Sequence, residues 1–411
     1  MTSPGMGPAA VLAIAVLAAG PAVARAQTPS APPLAEFGES VAVMAGTIVV
    51  AGHAGTSLGG AIHVFERRSS SWVAVAVLAV PEARVGDPFG ISMAADGNTI
   101  VVGAQFADIG ATDAGLAYVF ERRDGQWRQA AILTARDGRA DDQFGNTVSA
   151  SGDTIVVGAR LHDDPGRDAG AAYVFKRRGV AWEQIAKLTA SGQAAGDLFG
   201  RASLDGDTLI ISADLNDDRG SAAGKAYVLR RRDGRWTETA ILHASDGVAG
   251  DELGISLALS GRTAAFGAVG RDGAVADAGA VYVFEDENGR WTEKARLMAN
   301  DATPSQAFGL SVAADDDTIV VGAPYHEMRA ERVGAAYVFQ RDGGRWAQTA
   351  KLTASSPLPR QGFGSTVAIS AGTIVVGVRG SANGRDPGGA FVFERRDGRW
   401  SEVAKLVRPT P

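Results

Sequence analysis

Aspartate is the residue this chain offers most readily for chemistry, and it gathers in short Gly-rich stretches. Asp108 and Asp113, then Asp163, Asp164 and Asp168, then Asp217 and Asp218, then Asp272 and Asp277 all stand between apolar runs. Clustered oxygens of this kind suit a hard cation or the polar groups of a ligand. The same residues also close turns by accepting nearby backbone amide hydrogens, which needs no ligand at all. Of five histidines, His63 and His243 fall inside apolar runs and read as structural. His53, His162 and His326 fall in the loop class, too widely spread along the chain to share a metal. Phe106 and Tyr325 are the clear aromatic residues in those loops. Tyr325, His326 and the Asp163–Asp168 and Asp217–Asp218 carboxylates are therefore candidate ligand contacts. No catalytic or metal-ligating set is assigned: the chain has no cysteine, no G-x-S-x-G, no H-E-x-x-H and no phosphate-cradling glycine loop.

The elements that position these loops repeat. Phe-Gly recurs at Phe37, Phe89, Phe144, Phe199, Phe308 and Phe363, with Leu253 standing in once, at intervals of 52 to 55 residues. The seven tryptophans, Trp72 to Trp400, keep the same phase at intervals of 54 or 55. Each unit reads as four strands: one after Phe-Gly, a continuous apolar TIVVGA run, an AYVF run, and an alternating run that starts at Trp. Asp-Gly, Asn-Gly or Gly-Gly separates the third from the fourth, as tight hairpins require. Four antiparallel strands repeated seven times predict an all-β, seven-bladed β-propeller over residues 37–411. The last unit includes its own Trp400 strand, so the ring is expected to close without strand exchange.

Within that ring the innermost strands carry Ser40, Ser92, Thr147, Ser256, Ser311 and Thr366 at one position, broken by Ala202. The preceding position varies, and Glu39, Asn146 and Arg201 are its polar, non-repeating members. They form a second candidate ligand set, lining the channel. The Arg pairs from Arg67-Arg68 to Arg395-Arg396 lie beside acidic residues on the third-to-fourth hairpins. They read as mixed charge that keeps exposed edges apart.

Residues 1–26 hold an apolar run, Ala9 to Ala19, and a small-x-small site at Ala24-Arg25-Ala26, as in a secretory signal peptide. Residues 27–36 form a Pro-rich leader, and no later segment is long and apolar enough to span a membrane. These features predict an extracytoplasmic protein. A net charge of −6, with 45% apolar and 21% charged residues, does not call for nucleic acid.

FGxS[VM], then [IV]VVGA, then G-x-[AV]-[YF]-V-F together resemble the FG-GAP repeat known from the propeller of integrin α subunits. Gly322-Ala323-Pro324 keeps the full Gly-Ala-Pro. The resemblance implies a seven-bladed propeller outside the cytoplasm with a binding or adhesion role, and bacterial secreted proteins with these repeats are the nearest in kind. It also raises the family's calcium loops. Here the first-to-second connections, such as ASGDT and ADDDT, are too short to wrap the ion, so calcium is not carried over. The expected function is a secreted, non-enzymatic module presenting loop faces to a protein or glycan. The alternative is a lyase- or hydrolase-type enzyme at the channel mouth.

Overall fold

The computed structural model describes residues 36–53, 60–80, 89–273, 275–328, 331–379 and 388–409. The expected signal peptide, all of the leader before Glu36, and most of the His53–Gly60 loop lie outside these residues.

Blade 3 shows how the sequence makes a blade. Its strands are Phe144–Ser151, Thr154–Ala159, Ala171–Arg178 and Ala181–Leu188. They pair antiparallel in chain order. The TIVVGA strand is buried along its whole length, because neighbouring blades cover both of its faces. Six other sheets have the same order: Glu36–Leu78, Met93–Leu133, Arg201–Leu242, Leu257–Leu297, Ser311–Leu352 and Thr366–Leu406 span blades 1, 2, 4, 5, 6 and 7. No helix occurs among the described residues. The first strand of each blade packs beside those of the blades before and after it, and blade 7 meets blade 1 in the same way. The molecule is a closed seven-bladed β-propeller with first strands innermost.

The outer strand does not alternate as simply as its sequence suggests. In blade 3, Val174 faces Ala186 while Phe175 faces Gln184, which leaves Ile185 outside the ladder and exposed. Every blade has this bulge, which bends and twists the outermost strand.

The core lies between blades rather than within them. Val101, Val119 and Leu133 of blade 2 pack with Phe144, Val157 and Tyr173 of blade 3 in one cluster. Phe37 and Val50 of blade 1 join Val375, Val392 and Leu406 of blade 7 in another. Each fully buried side chain of this size contributes about 1.5–3 kcal/mol. A parallel backbone bridge, Gly115 to Phe144 and Gly334 to Phe363, links neighbouring blades, and Phe37 to Gly388 repeats it at the closing seam. Closure is therefore one more copy of the ordinary seam, with the four strands of blade 7 drawn from its own repeat.

Two polar devices complete the seams. The Ser/Thr of the first strand donates to the carbonyl of the Gly in the next blade's Phe-Gly: Ser92 to Gly145 at 2.8 Å, Thr147 to Gly200 at 2.9 Å, Ser256 to Gly309 at 2.7 Å. The Gly of each Gly-Ala leaves room for it. A Cβ on Gly103 would come within 2.4 Å of the Ser92 hydroxyl and 1.9 Å of the Gly145 carbonyl oxygen. Blade 4 departs from this: it is one residue shorter between Phe199 and Thr208, so Arg201 rather than Ala202 stands opposite Ser212, which replaces the Gly and donates to Gly254 at 2.7 Å.

The second device corrects the reading of the Arg pairs. The second arginine of each pair is exposed as expected, but in most blades the first crosses a seam. Arg177 of blade 3 donates to Glu121 of blade 2 at 3.1 Å, and the Trp182 indole N–H donates to the same buried carboxylate at 3.1 Å. Arg341 and Trp346 repeat this on Glu285, while Arg122 meets Glu66 and Arg67 meets Glu394. A carboxylate held by an arginine and an indole N–H replaces its lost hydration with charge-assisted bonds.

Candidate functional site

The Asp-rich loops between second and third strands tie themselves shut. Asp163 accepts from the Asp168 amide at 2.9 Å, Asp217 from the Ala222 amide at 2.7 Å, and Asp272 from the Asp277 amide at 2.9 Å. Asp164 is bound by Lys187 at 2.9 Å, and Asp218 by the buried Lys225 at 2.7 Å. These cations hold the Asp164 and Asp218 carboxyls below the usual range. The four loops stay separate along the ring. No group of three or more His, Asp or Glu side chains placed to hold a metal occurs among the described residues.

His326 is buried, not presented. Its Nδ1 lies 2.8 Å from the Gln306 side-chain oxygen, and its Nε2 lies 2.8 Å from Lys351 Nζ. Since an ammonium only donates, Nε2 accepts and the proton sits on Nδ1. Burial, then the Lys351 charge, pushes its pKa down. His162 makes the matching contacts with Asp142 at 3.0 Å and Lys187 at 2.8 Å. Both histidines fasten a loop to the linker entering their blade.

The channel trio is dispersed. Asn146 donates to Gln105 of blade 2, and Glu39 pairs with Arg379 of blade 7 at 3.2 Å. Arg201 lies 3.6 Å from Asp214, which also accepts from Arg160 of blade 3 at 2.9 Å. Burial and the neighbouring Arg160 charge bring the Arg201 pKa down to about 10. Each member serves a different part of the ring near the channel mouth.

Tyr325 has a different setting. It is 47% exposed and the only exposed aromatic among the described residues. It follows the buried Pro324, and with Arg332, Arg360 and Gly362 these residues line an open groove of 380 Å³ between blades 6 and 7. Blade 6 alone among the described loops adds a small hairpin, Glu327–Met328 against Glu331–Arg332. The Arg360 amide donates to the Arg332 carbonyl at 2.5 Å. The same backbone bond joins Asp141 to Thr112, Gly196 to Arg167, Gly250 to Ser221 and Ser305 to Ala276. Among the described linkers, only at the seam between blades 6 and 7 does that pair consist of two arginines.

The Arg360 position also carries backbone strain. In successive linkers it has positive φ, at Asp141 (67°), Gly196 (83°), Gly250 (83°), Ser305 (53°) and Arg360 (63°). An arginine gains nothing there from local side-chain bonding, unlike Asp, and lacks the freedom of Gly. Its side chain is exposed and makes no ion pair or hydrogen bond among the described residues, whereas Arg332 lies 3.4 Å from Glu327. Sequence reading found Tyr325 but not Arg332 or Arg360. The available signal was an arginine at the position three before Phe-Gly, where the second to sixth units place Gly, Asp or Ser.

A ring of seven four-stranded blades with variable loops at one end defines a β-propeller repeat protein. The chain belongs to the FG-GAP repeat family, whose repeat matches residues 72–120, 127–175, 182–229, 236–284, 291–339 and 346–393. Each match starts at the Trp strand of one blade and ends in the third strand of the next. Seven blades thus contain six whole units, with a seventh split between the two ends. No curated protein sequence matches the chain. Among solved structures, a protein from Lactobacillus plantarum determined by a structural-genomics consortium is similar in fold. It has a TM-score of 0.55 at 16% identity, covering 86% of this chain and 93% of that one.

Proposed function

We propose that this protein is a secreted, non-enzymatic binding module, with adhesion to a glycan or protein as its role, and that it works without a resident calcium ion. The observation that carries this reading is Tyr325, held exposed between Arg332 and Arg360 where the repeat departs from itself. The channel trio and the Asp loops already have partners that account for them. Here an aromatic face and a free guanidinium meet solvent, the composition that enriches recognition surfaces. Export rests on the Ala24-Arg25-Ala26 site in the sequence.

The test is a glycan-array and pull-down screen with the purified chain, run with and without EDTA, beside a Tyr325→Ala, Arg360→Gly double variant. A partner retained by the wild type in EDTA and lost by the variant supports the reading. A partner retained equally by both, or a substrate turned over, overturns it. N-terminal sequencing of exported material should begin at Gln27, and an intact Met1 on cytoplasmic protein would refute export.

A further inference from the structure

The chemistry of the groove between blades 6 and 7 narrows the ligand class further. Tyr325 presents a flat apolar face with a polar hydroxyl tip, which suits the C–H face and hydroxyls of a sugar ring. Arg332 and Arg360 are joined backbone to backbone, so two guanidinium forks rise from neighbouring points of one rim. Planar forks match a carboxylate through paired N–H bonds, and guanidinium sheds its hydration more easily than ammonium. Glu327 lies 3.4 Å from Arg332, which leaves Arg360 as the uncompensated cation of the groove among the described residues. The floor is rigid: Pro324 is buried, and Tyr325 donates its amide to Gln306 at 3.2 Å. The groove is open rather than a deep apolar pocket, so it offers a platform rather than a socket for a peptide side chain.

We propose that Tyr325, Arg332 and Arg360 form a subsite for a uronate ring of an acidic polysaccharide. The sugar stacks on Tyr325 while its carboxylate sits between the guanidinia. This rests on the binding-module reading above and specifies its ligand.

Calorimetric titration of the full chain with trigalacturonate tests it, alongside the methyl-esterified trimer, which keeps the rings and removes the charge, and triglutamate, which keeps the charge and removes the rings. The acid form should bind and weaken with added salt, while the ester should bind about tenfold or more weakly. Arg360→Gly suits the positive φ and should fold normally, yet lose about tenfold in affinity, as should Tyr325→Ala. Melting curves of both variants verify their folding. Equal binding of ester and acid, triglutamate binding as tightly as trigalacturonate, unchanged affinity in both variants, or no trigalacturonate binding would each overturn the uronate subsite. If trigalacturonate fails but another partner from the screen is still lost in the double variant, the binding-module reading survives and this ligand class falls. If that variant alters capture of no partner, both fall.

Discussion

Arg230 of blade 4 and Asp286 of blade 5 form their seam's ion pair with the signs exchanged. Where other seams are paired between third strands, the earlier blade supplies the carboxylate and the later blade the arginine, as Glu121 and Arg177 do. Between the third strands of blades 4 and 5 the arginine comes first. The contact is therefore held by complementarity across the seam rather than by either residue type alone.

Both groups of that pair are largely buried, so breaking it leaves one charge without its partner. Arg230→Ala and Asp286→Ala should each lower stability by about 1–3 kcal/mol. The exchanged double variant Arg230→Glu, Asp286→Arg should recover much of the loss. Urea unfolding midpoints of the three proteins check this, and additive losses in the double variant would refute the coupling.

Ser212 and Arg201 make a second departure, standing opposite each other where other blades pair Gly with Ser or Thr. Ser212→Gly removes the hydroxyl that reaches the Gly254 carbonyl, at an expected cost of about 1 kcal/mol. Thermal melts of the wild type and Ser212→Gly measure the loss, and an unchanged melting temperature would overturn this role for the hydroxyl.

His63 occupies the position that holds Tyr118, Tyr173, Tyr227, Tyr282 or Tyr337 in blades 2 to 6. It is 4% exposed and packs edge-on against Phe37, and neither ring nitrogen has a partner among the described residues. Burial, with the Arg408 charge adding to it, brings its pKa from 6.5 down to about 4. Between those values the unfolded chain takes up a proton that the folded chain refuses. The stability associated with neutral His63 is thus present above pH 6.5 and is lost as pH falls toward 4, by up to about 3 kcal/mol. His63→Phe should flatten this part of the stability profile. An unchanged slope between pH 6.5 and 4 in that variant would contradict the assignment.

Closure of the ring depends on the last strand, Arg399–Leu406, and on Leu406 in the cluster that joins blades 7 and 1. Ending the chain before Trp400 removes that strand and leaves Gly389–Arg396 as an unpaired edge. Such a protein should aggregate, because an open strand edge pairs with other chains. Light scattering during refolding measures this, and a monomeric truncated protein would show that the seam does not need its outer strand.

The blades were legible in the sequence because every unit solves the same problem. A four-stranded sheet cannot bury both faces alone, so Phe144, Trp182 and the TIVVGA run recur in phase along the chain. A signal repeated seven times stands out even when a position drifts, as Leu253 does, or a unit is one residue short, as between Phe199 and Thr208. The site has no such repetition. Tyr325 could be noticed as an aromatic residue in a loop, but so could Phe106, and Asp163 and Asp217 looked equally available. Only the tertiary structure showed that Asp163 and Asp217 close their own loops, that His326 is buried against Gln306 and Lys351, and that Arg332 and Arg360 share a backbone bond. The reason is physical: local periodicity determines which face of a strand is apolar, whereas polar partners across a seam depend on how two separate loops and two blades dock.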